Sequence, residues 1–303
     1  MSTPMNSAQF KAIVEPILNK PFKGIYDQRA DEWKQVFRYL VSPVKRRYYE
    51  VPVIVGFRQA PELPEGKPFD YDTGQTFYVA RTDFKVYGLA FALTKETIED
   101  GDHISLGSTF SKHLAQSLIE TKEWNTANVL NRAFNTSYKG GDNQPLISTS
   151  HPLINGGSAS NQLATAAALS QTSVEQMLIQ ISNAVSPEGR KIRLKPKKLV
   201  VPNTLRMQAK VITQTPLRTG TANNDINPIQ GELSEVATFS RMTSNTNWFI
   251  QTETEEGLQL VQRSPLDKGM EGDFETRSMR YKADERYGTF WVDWRDLWGT
   301  PGA

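Results

Sequence analysis

Two β-rich runs, parted by a long irregular stretch, constrain this chain more than any other feature. Tyr48-Tyr-Glu-Val-Pro-Val-Ile-Val-Gly-Phe57 reads as an apolar strand, and Thr76-Phe-Tyr-Val-Ala-Arg-Thr-Asp-Phe-Lys-Val-Tyr-Gly-Leu-Ala-Phe91 as a long run with partial alternation. The two are expected to pair as one long hairpin. Between them, residues 58–75 carry Pro61, Pro64, Gly66, Pro68 and Gly74 among acidic and aromatic residues. That exceeds the roughly 12–15 residues beyond which structureless loops are uncommon in compact domains. An isolated two-stranded hairpin is marginal in water, so a projection of this kind needs a platform. Gly56, Gly74 and Gly88 are candidate flex points along it, with ordinary turn or bulge roles as the alternative.

With 303 residues the chain is long enough for one large domain or two moderate ones. Apolar residues at 38% and charged residues at 22% are too polar for a membrane protein, and the aromatic content is too high for disorder. No stretch approaches the roughly 20 consecutive apolar residues of a membrane helix, and the first ten residues lack a secretion signal, so no membrane association is expected. The chain has no cysteine, which excludes disulfides, thiolate metal sites and a cysteine nucleophile. A formal charge of +2 falls short of the basic balance of a dedicated nucleic-acid binder.

Residues 2–31 hold Pro4, Pro16 and Pro21 with too many apolar residues for a disordered tail, among them Phe10, Phe22 and Tyr26. They suggest an arm that docks, either on its own domain or on something else. A short helix is expected over 94–100 and a longer one from near Ser108. On the longer one Phe110, Leu114 and Leu118 step by four, and Ala127, Leu130 and Phe134 resume the pattern after an irregular patch at Trp124. Lys139-Gly-Gly141 reads as its C-cap. After a loop-like stretch over 146–169, Thr172 and Glu175 read as a capping box for a helix with Val174, Met177, Leu178, Ile181 and Val185 on one face. It stops at residues 186–189. Lys195-Pro-Lys-Lys-Leu-Val-Val-Pro202 reads as a buried strand entered from a basic turn, and a second helix begins at Asn203 with Leu205, Ala209 and Ile212 inward. Short β segments follow at 248–250, 258–261, 277–281 and 288–292, and Phe290, Trp291, Trp294 and Trp298 mark a packed C-terminal end. The fold class is α+β.

Nothing in this pattern assembles an enzyme. His103, His113 and His151 are scattered without metal-ligand spacing, and Ser148, Ser150 and His151 are merely adjacent, whereas nucleophile and base meet through the fold. Gly140-Gly141 and Gly156-Gly157 do not join a strand to a helix as a phosphate cradle does. No cofactor or metal is expected, and a hydrolytic enzyme is the weakest alternative. Residues 190–198 form the densest basic run, either facing DNA or turning in solvent before the strand.

Three segments carry a family resemblance: Pro145-Leu-Ile-Ser-Thr-Ser-His-Pro-Leu153 leading to Asn161-Gln162; Leu169-Ser through Glu175-Gln-Met-Leu178 to Leu194-Lys-Pro-Lys-Lys-Leu-Val-Val-Pro202 and Leu205; and Ala283-Asp-Glu-Arg-Tyr287 through Trp294-Arg-Asp-Leu-Trp-Gly-Thr-Pro-Gly-Ala303. With the order of elements, they make the chain from Tyr48 onward resemble the major capsid proteins of tailed bacteriophages, particularly Mu-like head subunits. The resemblance implies the α+β fold shared with encapsulins and the herpesvirus capsid floor. It divides the chain into an N-terminal arm (1–47), an extended β-hairpin loop with flanking strands (48–93), a peripheral domain with a long spine helix (94–145), an axial domain (146–250) and C-terminal strands returning to both domains (251–303). It implies a structural role: self-assembly as hexamers and pentamers into an icosahedral head around double-stranded DNA, in the virion, after assembly in the host cytoplasm. A near-neutral wall suits non-specific contact with packaged DNA. A portal protein and a separate scaffolding protein are the implied partners, with a cement protein as a further candidate. Phe69, Tyr71, Phe77 and Tyr78 in the loop, and Phe10, Phe22 and Tyr26 in the arm, are then the expected inter-subunit contacts, and Arg190, Lys191, Arg193 and Lys195 the candidate DNA-facing residues. An encapsulin-like compartment enclosing cargo enzymes is the rival on the same fold.

Overall fold

The computed structural model describes residues 7–28, 31–43, 45–94, 97, 103–218, 225–233, 235–273 and 278–302. Its longest strands come from the C-terminal part of the chain. β10 (Leu258–Asp273) and β11 (Ser278–Trp291) run antiparallel, with register shifts near Ser264. They form the middle of a four-stranded sheet in the order β1-β10-β11-β4, where β1 (Arg38–Val41) is parallel to β10 and β4 (Lys85–Leu93) antiparallel to β11.

β11 corrects the expectation of two separate segments at 277–281 and 288–292. The intervening Lys282-Ala-Asp-Glu-Arg286 looks like a charged turn, yet it is strand. Lys282, Asp284 and Arg286 point outward, while Ala283, Glu285 and Tyr287 are buried. A carboxylate at a buried position is what hid the alternation. Glu285 is 0% exposed and pairs at 2.6 Å with Lys122 of the long helix α2 (His103–Asn131). Tyr26 of the N-terminal helix α1 (Ser7–Gln28) donates to Glu285 Oε2 at 3.0 Å and accepts from Lys122 Nζ at 2.8 Å. Burial, reinforced by the Glu285 carboxylate, pushes the Tyr26 hydroxyl well above its ordinary pKa, so it stays a donor. The Lys122 ammonium also lies over the Tyr26 and Tyr287 rings, each at 5.4 Å. The ammonium and one carboxylate oxygen therefore find partners in place of water, while Glu285 Oε1 is buried without a hydrogen bond.

α2 is about 43 Å long at its 29 residues. It runs unbroken past Trp124, which is exposed, while Leu114, Ala115, Leu118, Ile119, Ala127 and Leu130 are buried. Its buried hydroxyls are satisfied locally: Ser111 donates to Leu18 O at 2.6 Å and Thr126 to Lys122 O at 3.0 Å. The helix ends at Asn131, well before the glycine pair expected to cap it. Those glycines permit close packing. A Cβ on Gly140 would lie 2.6 Å from Trp291 Nε1, and one on Gly141 2.5 Å from Tyr78 Cδ2.

The arm resolves as α1, a helix that contains both Pro16 and Pro21. Each proline removes a backbone donor; Leu18 and Phe22, fully buried against Leu114, Leu118 and Tyr281, hold the helix together. Of the two docking alternatives, this segment takes its own chain. The side chain of Phe10 and most of the short helix expected over 94–100 lie outside the described residues.

The hairpin is β2 (Tyr48–Val55) with β3 (Gln75–Asp83), bulged between Val53 and Ile54. The long run after residue 75 does not belong wholly to it. At Phe84 the chain leaves the hairpin and enters the four-stranded sheet as β4: Asp83 still pairs with Tyr48, whereas Lys85 pairs with Tyr287. Phe84 drives the crossing, buried with Ala80, Val261, Phe290 and Val292 beneath Tyr49, Val51 and Val53. The hairpin base is thus seated on its own chain.

β5 (His151–Pro152) and β6 (Ser158–Ala159) form a short antiparallel pair, and a second four-stranded sheet, in the order β12-β9-β7-β8, joins β7 (Pro196–Pro202), β8 (Glu235–Phe239), β9 (Trp248–Thr252) and β12 (Leu297–Thr300). β9 is buried on both faces, as its continuous apolar run requires. Trp248 and Ile250 pack with Met177 and Ile181 of α3 (Gln171–Ser182) and Ala209 and Ile212 of α4 (Arg206–Gln214). Phe249 faces Leu130, Ala133, Leu146 and Ile147 on the other side. The N-cap of α3 is Ser170, in a reciprocal box with Ser173, two residues before the expected Thr172; Glu175 instead pairs with Arg218 at 2.7 Å. The two sheets meet at Asp296, whose carboxylate accepts from Leu258 N at 3.0 Å, Gln251 Nε2 at 3.1 Å and Thr254 Oγ1 at 3.0 Å. Burial pushes this carboxyl up to about 6.

Two measurements test this core. Lys122→Ala leaves Glu285 buried and unpaired and should cost about 3–5 kcal/mol in urea unfolding of the subunit, whereas Lys122→Met with Glu285→Leu should cost far less. The second test concerns Glu123 of α2, whose Oε1 accepts from Glu32 N at 2.7 Å and whose Oε2 is buried without a partner. Burial pushes this carboxyl from 4.5 up to about 7. Because the folded pKa is the higher one, folding takes up a proton. The contribution is complete below pH 4.5 and lost as pH rises through 7, by up to roughly 3 kcal/mol. Stability should therefore fall between pH 4.5 and 7, and Glu123→Gln should flatten the profile above pH 6, leaving the same-signed contribution of Asp296 below it.

Candidate inter-subunit surfaces

The hairpin tip, residues 56–74, is the most exposed part of the described chain. Phe69 is 77% and Tyr71 95% exposed. The tip is braced from within: Arg58 N donates to Asp72 Oδ2 at 2.7 Å, Arg58 Nη2 lies 3.3 Å from Asp70 Oδ2, and Thr73 N donates to Asp72 Oδ1 at 3.0 Å. Gly66 turns it at φ 82°, a conformation that favours glycine. Glu62, Glu65, Asp70 and Asp72 outnumber Arg58 and Lys67, so the tip is acidic.

The other expected contact residues lie closer in. Phe77 and Tyr78 are half-buried at the hairpin base, with ring centroids 5.0 Å apart. The Tyr78 hydroxyl donates to Val292 O at 3.0 Å, and burial raises its pKa above the ordinary tyrosine value. Phe22 is fully buried, and Tyr26 belongs to the Lys122–Glu285 network. Phe22, Tyr26 and Tyr78 thus spend most of their contact area inside the chain, and Phe69 and Tyr71 present theirs to the outside.

Beneath the hairpin base, the last turns of α2 and the end of β11 enclose a cleft of about 840 Å³. Arg81, Lys85, Arg132 and Lys139 line it, with Asp83 as the acidic member. Arg81 lies 3.5 Å from Glu50 and stacks over Tyr48 at 4.1 Å; Arg132 stacks over Tyr138 at 4.4 Å. Sequence reasoning missed this basic surface because its cations come in two pairs, Arg81 with Lys85 and Arg132 with Lys139, from stretches far apart in the chain.

The alternation expected before β7 is present. Lys191, Arg193 and Lys195 are exposed, and Ile192 and Leu194 pack partly into the second core. Arg190 is engaged locally, pairing with Glu188 and donating to Phe57 O at 2.7 Å, which ties the distal hairpin to the 186–190 turn.

His151 is fully buried and has a structural setting. Its Nδ1 lies 2.6 Å from Asp142 Oδ2, its Nε2 3.1 Å from Asn161 Oδ1, and its ring stacks on Trp294 at 4.1 Å. Asn161 Nδ2 donates to Leu146 O at 2.8 Å and Leu297 O at 2.9 Å, and its Oδ1 accepts from Ser148 N at 2.8 Å. The Ser148 hydroxyl faces Gln144 at 3.4 Å. Ser148, His151 and Asn161 therefore form a buried brace across the loop and the C-terminal strand. Among the described residues, no group of three or more His, Cys, Asp or Glu could hold a metal ion, and no helix is long and apolar enough to cross a membrane.

The fold is similar to that of the capsid of the cyanophage P-SCSP1u, with a TM-score of 0.59, 11% identity and coverage of 91% of this chain and 89% of that one. It is similar to the capsid of the native GTA particle, at 0.55, 13% identity and 91% coverage of each chain. It is also similar to the virus-like particle from Pyrococcus furiosus, at 0.51, 9% identity, 94% of this chain and 98% of that one. No curated protein matches the chain in sequence. The likenesses are of fold, and they agree with the tailed-phage capsid architecture that the order of elements implied. The sequence pattern described as phage capsid protein matches residues 78–298, from the hairpin base through both sheets to the C-terminal tryptophans, and the chain belongs to that family.

Proposed function

We propose that this chain is the major head subunit of a tailed phage, and that its copies assemble as hexamers and pentamers into an icosahedral shell around double-stranded DNA. The observation that carries this reading is the hairpin tip, with Phe69 and Tyr71 in water on a projection held to its own chain at the base and through the Arg190–Phe57 contact. Such rings are costly to leave exposed and are typical anchors of interfaces. The acidic tip and the basic cleft under the hairpin base are of opposite sign, which suits the tip of one subunit for the cleft of the next. Overlap of this kind lets a thin subunit reach the roughly 2,000–5,000 Å² of an obligate interface.

In this reading the arm is residues 1–47, the extended loop 48–93, the peripheral part the four-stranded sheet with α2, and the axial part the second sheet with α3 and α4. β4, which lies within the loop's residue range, pairs in the four-stranded sheet and is counted in this reading with the peripheral part. Segments 145–162 and 169–205 support the Mu-like subtype. Lys191, Arg193 and Lys195 are the residues assigned to non-specific DNA contact. A portal protein, a separate scaffolding protein and a cement protein complete the partners, and assembly takes place in the host cytoplasm. The likeness to the Pyrococcus furiosus virus-like particle keeps a cargo-enclosing compartment as the second reading. Shells that copurify with an enzyme and hold no DNA in the native host would decide for it.

Electron microscopy of the expressed full chain should show closed shells; dispersed monomers under all conditions would overturn the proposal. Phe69→Ser with Tyr71→Ser should lower the yield of shells at least tenfold by sedimentation. Unfolding of the free subunit should shift by only about 0.5 kcal/mol, as expected for exposed positions.

A further inference from the structure

β4 ends the four-stranded sheet, so one of its long edges pairs with β11 and the other faces away from the sheet. Native proteins blunt such edges with charge, proline, bulges or brevity. The other edges of the two four-stranded sheets and the hairpin follow that rule: β1 and β12 have four residues each, the hairpin carries a bulge and Pro52, and β8 begins at Glu235. β4 does not. It pairs with β11 over nine consecutive residues without a register shift, and from Val86 to Leu93 it holds no charge and no proline. Val86 is 62% and Leu89 53% exposed.

We propose that β4 pairs with β4 of a second copy of this chain, antiparallel about a two-fold axis at Leu89, joining two four-stranded sheets into one. The strand is self-complementary in that register. Leu89, its midpoint, meets its own counterpart, Tyr87 meets Phe91, Val86 meets Ala92, and Gly88 meets Ala90. Aromatic residues face each other on the α2 side, where cross-strand aromatic pairs stabilise a sheet, and small residues face each other on the outer side. Lys85, the one charge in β4, falls opposite Leu93, so the two ammonium groups sit at opposite ends of the joined strands. An isologous contact of this kind closes on itself and needs no other component. It goes beyond assembly through the hairpin tip and does not require that the shell close.

The cysteine-free chain permits a direct test. Leu89→Cys places one thiol on each copy, and directly opposed residues of an antiparallel pair lie roughly 4.5–5.5 Å apart at Cβ. Oxidation, or a short bis-maleimide, should convert most of the assembled full-length chains into covalent dimers. Val41→Cys, 65% exposed on the opposite edge of the same sheet, should not crosslink. Leu89→Lys and Leu89→Glu should each abolish the pairing by setting like charges face to face, and mixing the two variants should restore it. The idea is overturned if Leu89→Cys chains stay uncrosslinked, crosslink no more than Val41→Cys, or bond only to a different protein; it is equally overturned if the mixture of charge variants behaves like each alone. Normal shells without the crosslink would sink the pairing and spare the shell, and crosslinked dimers without shells would do the reverse.

Discussion

The buried contact among Tyr26, Lys122 and Glu285 is the constraint on which the rest of the architecture hangs. It joins the first helix, the long helix and the longest sheet through charges taken out of water, and such a pair is worth little unless its geometry is satisfied. Its larger effect is on register. A slip of β11 by one residue would turn Glu285 to solvent and aim Asp284 or Arg286 at the buried face of α2, so the strand has one acceptable alignment. β4 is paired to β11 residue by residue, and its alignment follows. Where β4 begins determines where the hairpin leaves the sheet, and Phe84 marks that point with a side chain buried beneath the hairpin base.

A rigid body carrying an unfinished appendage results. The two sheets are locked together at Asp296, where Gly257 leaves no room for a side chain: a Cβ there would lie 2.0 Å from the carboxylate. His151 and Asn161 fasten the loop before α3 to the C-terminal strand with polar contacts. Such satisfied buried networks define one geometry more sharply than apolar packing does. Beyond them the tip at residues 56–74 has a braced backbone and uncovered aromatic rings. Rigidity at one end and exposed surface at the other is an arrangement in which association is the step that completes burial.

Electrostatics divide along the same lines. The net charge of +2 conceals an acidic tip, a basic cleft and a basic row before β7, each made of residues that cancel only in the sum. Local sign, and not net charge, is what a neighbouring surface meets within the roughly 8–10 Å reach of unscreened electrostatics at physiological salt.

Much of this was legible in the residues themselves. Alternation and turn chemistry identified the hairpin; four-residue steps identified α2; the run Leu199-Val-Val201 identified a buried strand and Trp248-Phe-Ile250 a short β segment; and the terminal tryptophans announced a packed end. Each of these is a local property, because hydrophobic period and burial are written in neighbouring side chains. Other features had no local signature. Glu285 looked like part of a turn because its partner, Lys122, lies on another element far away in sequence. Gly140 and Gly141 looked like a helix cap because the rings they make room for belong to β3 and β11. The division of residues 75–93 between two sheets depended on where Phe84 could be buried, and the open edge of β4 on which strand ended the sheet. Periodicity told which side chains turn inward; only the tertiary structure decided what they meet, since the partner that neutralises a buried charge or fills a gap is chosen by three-dimensional proximity, which no stretch of neighbouring residues encodes.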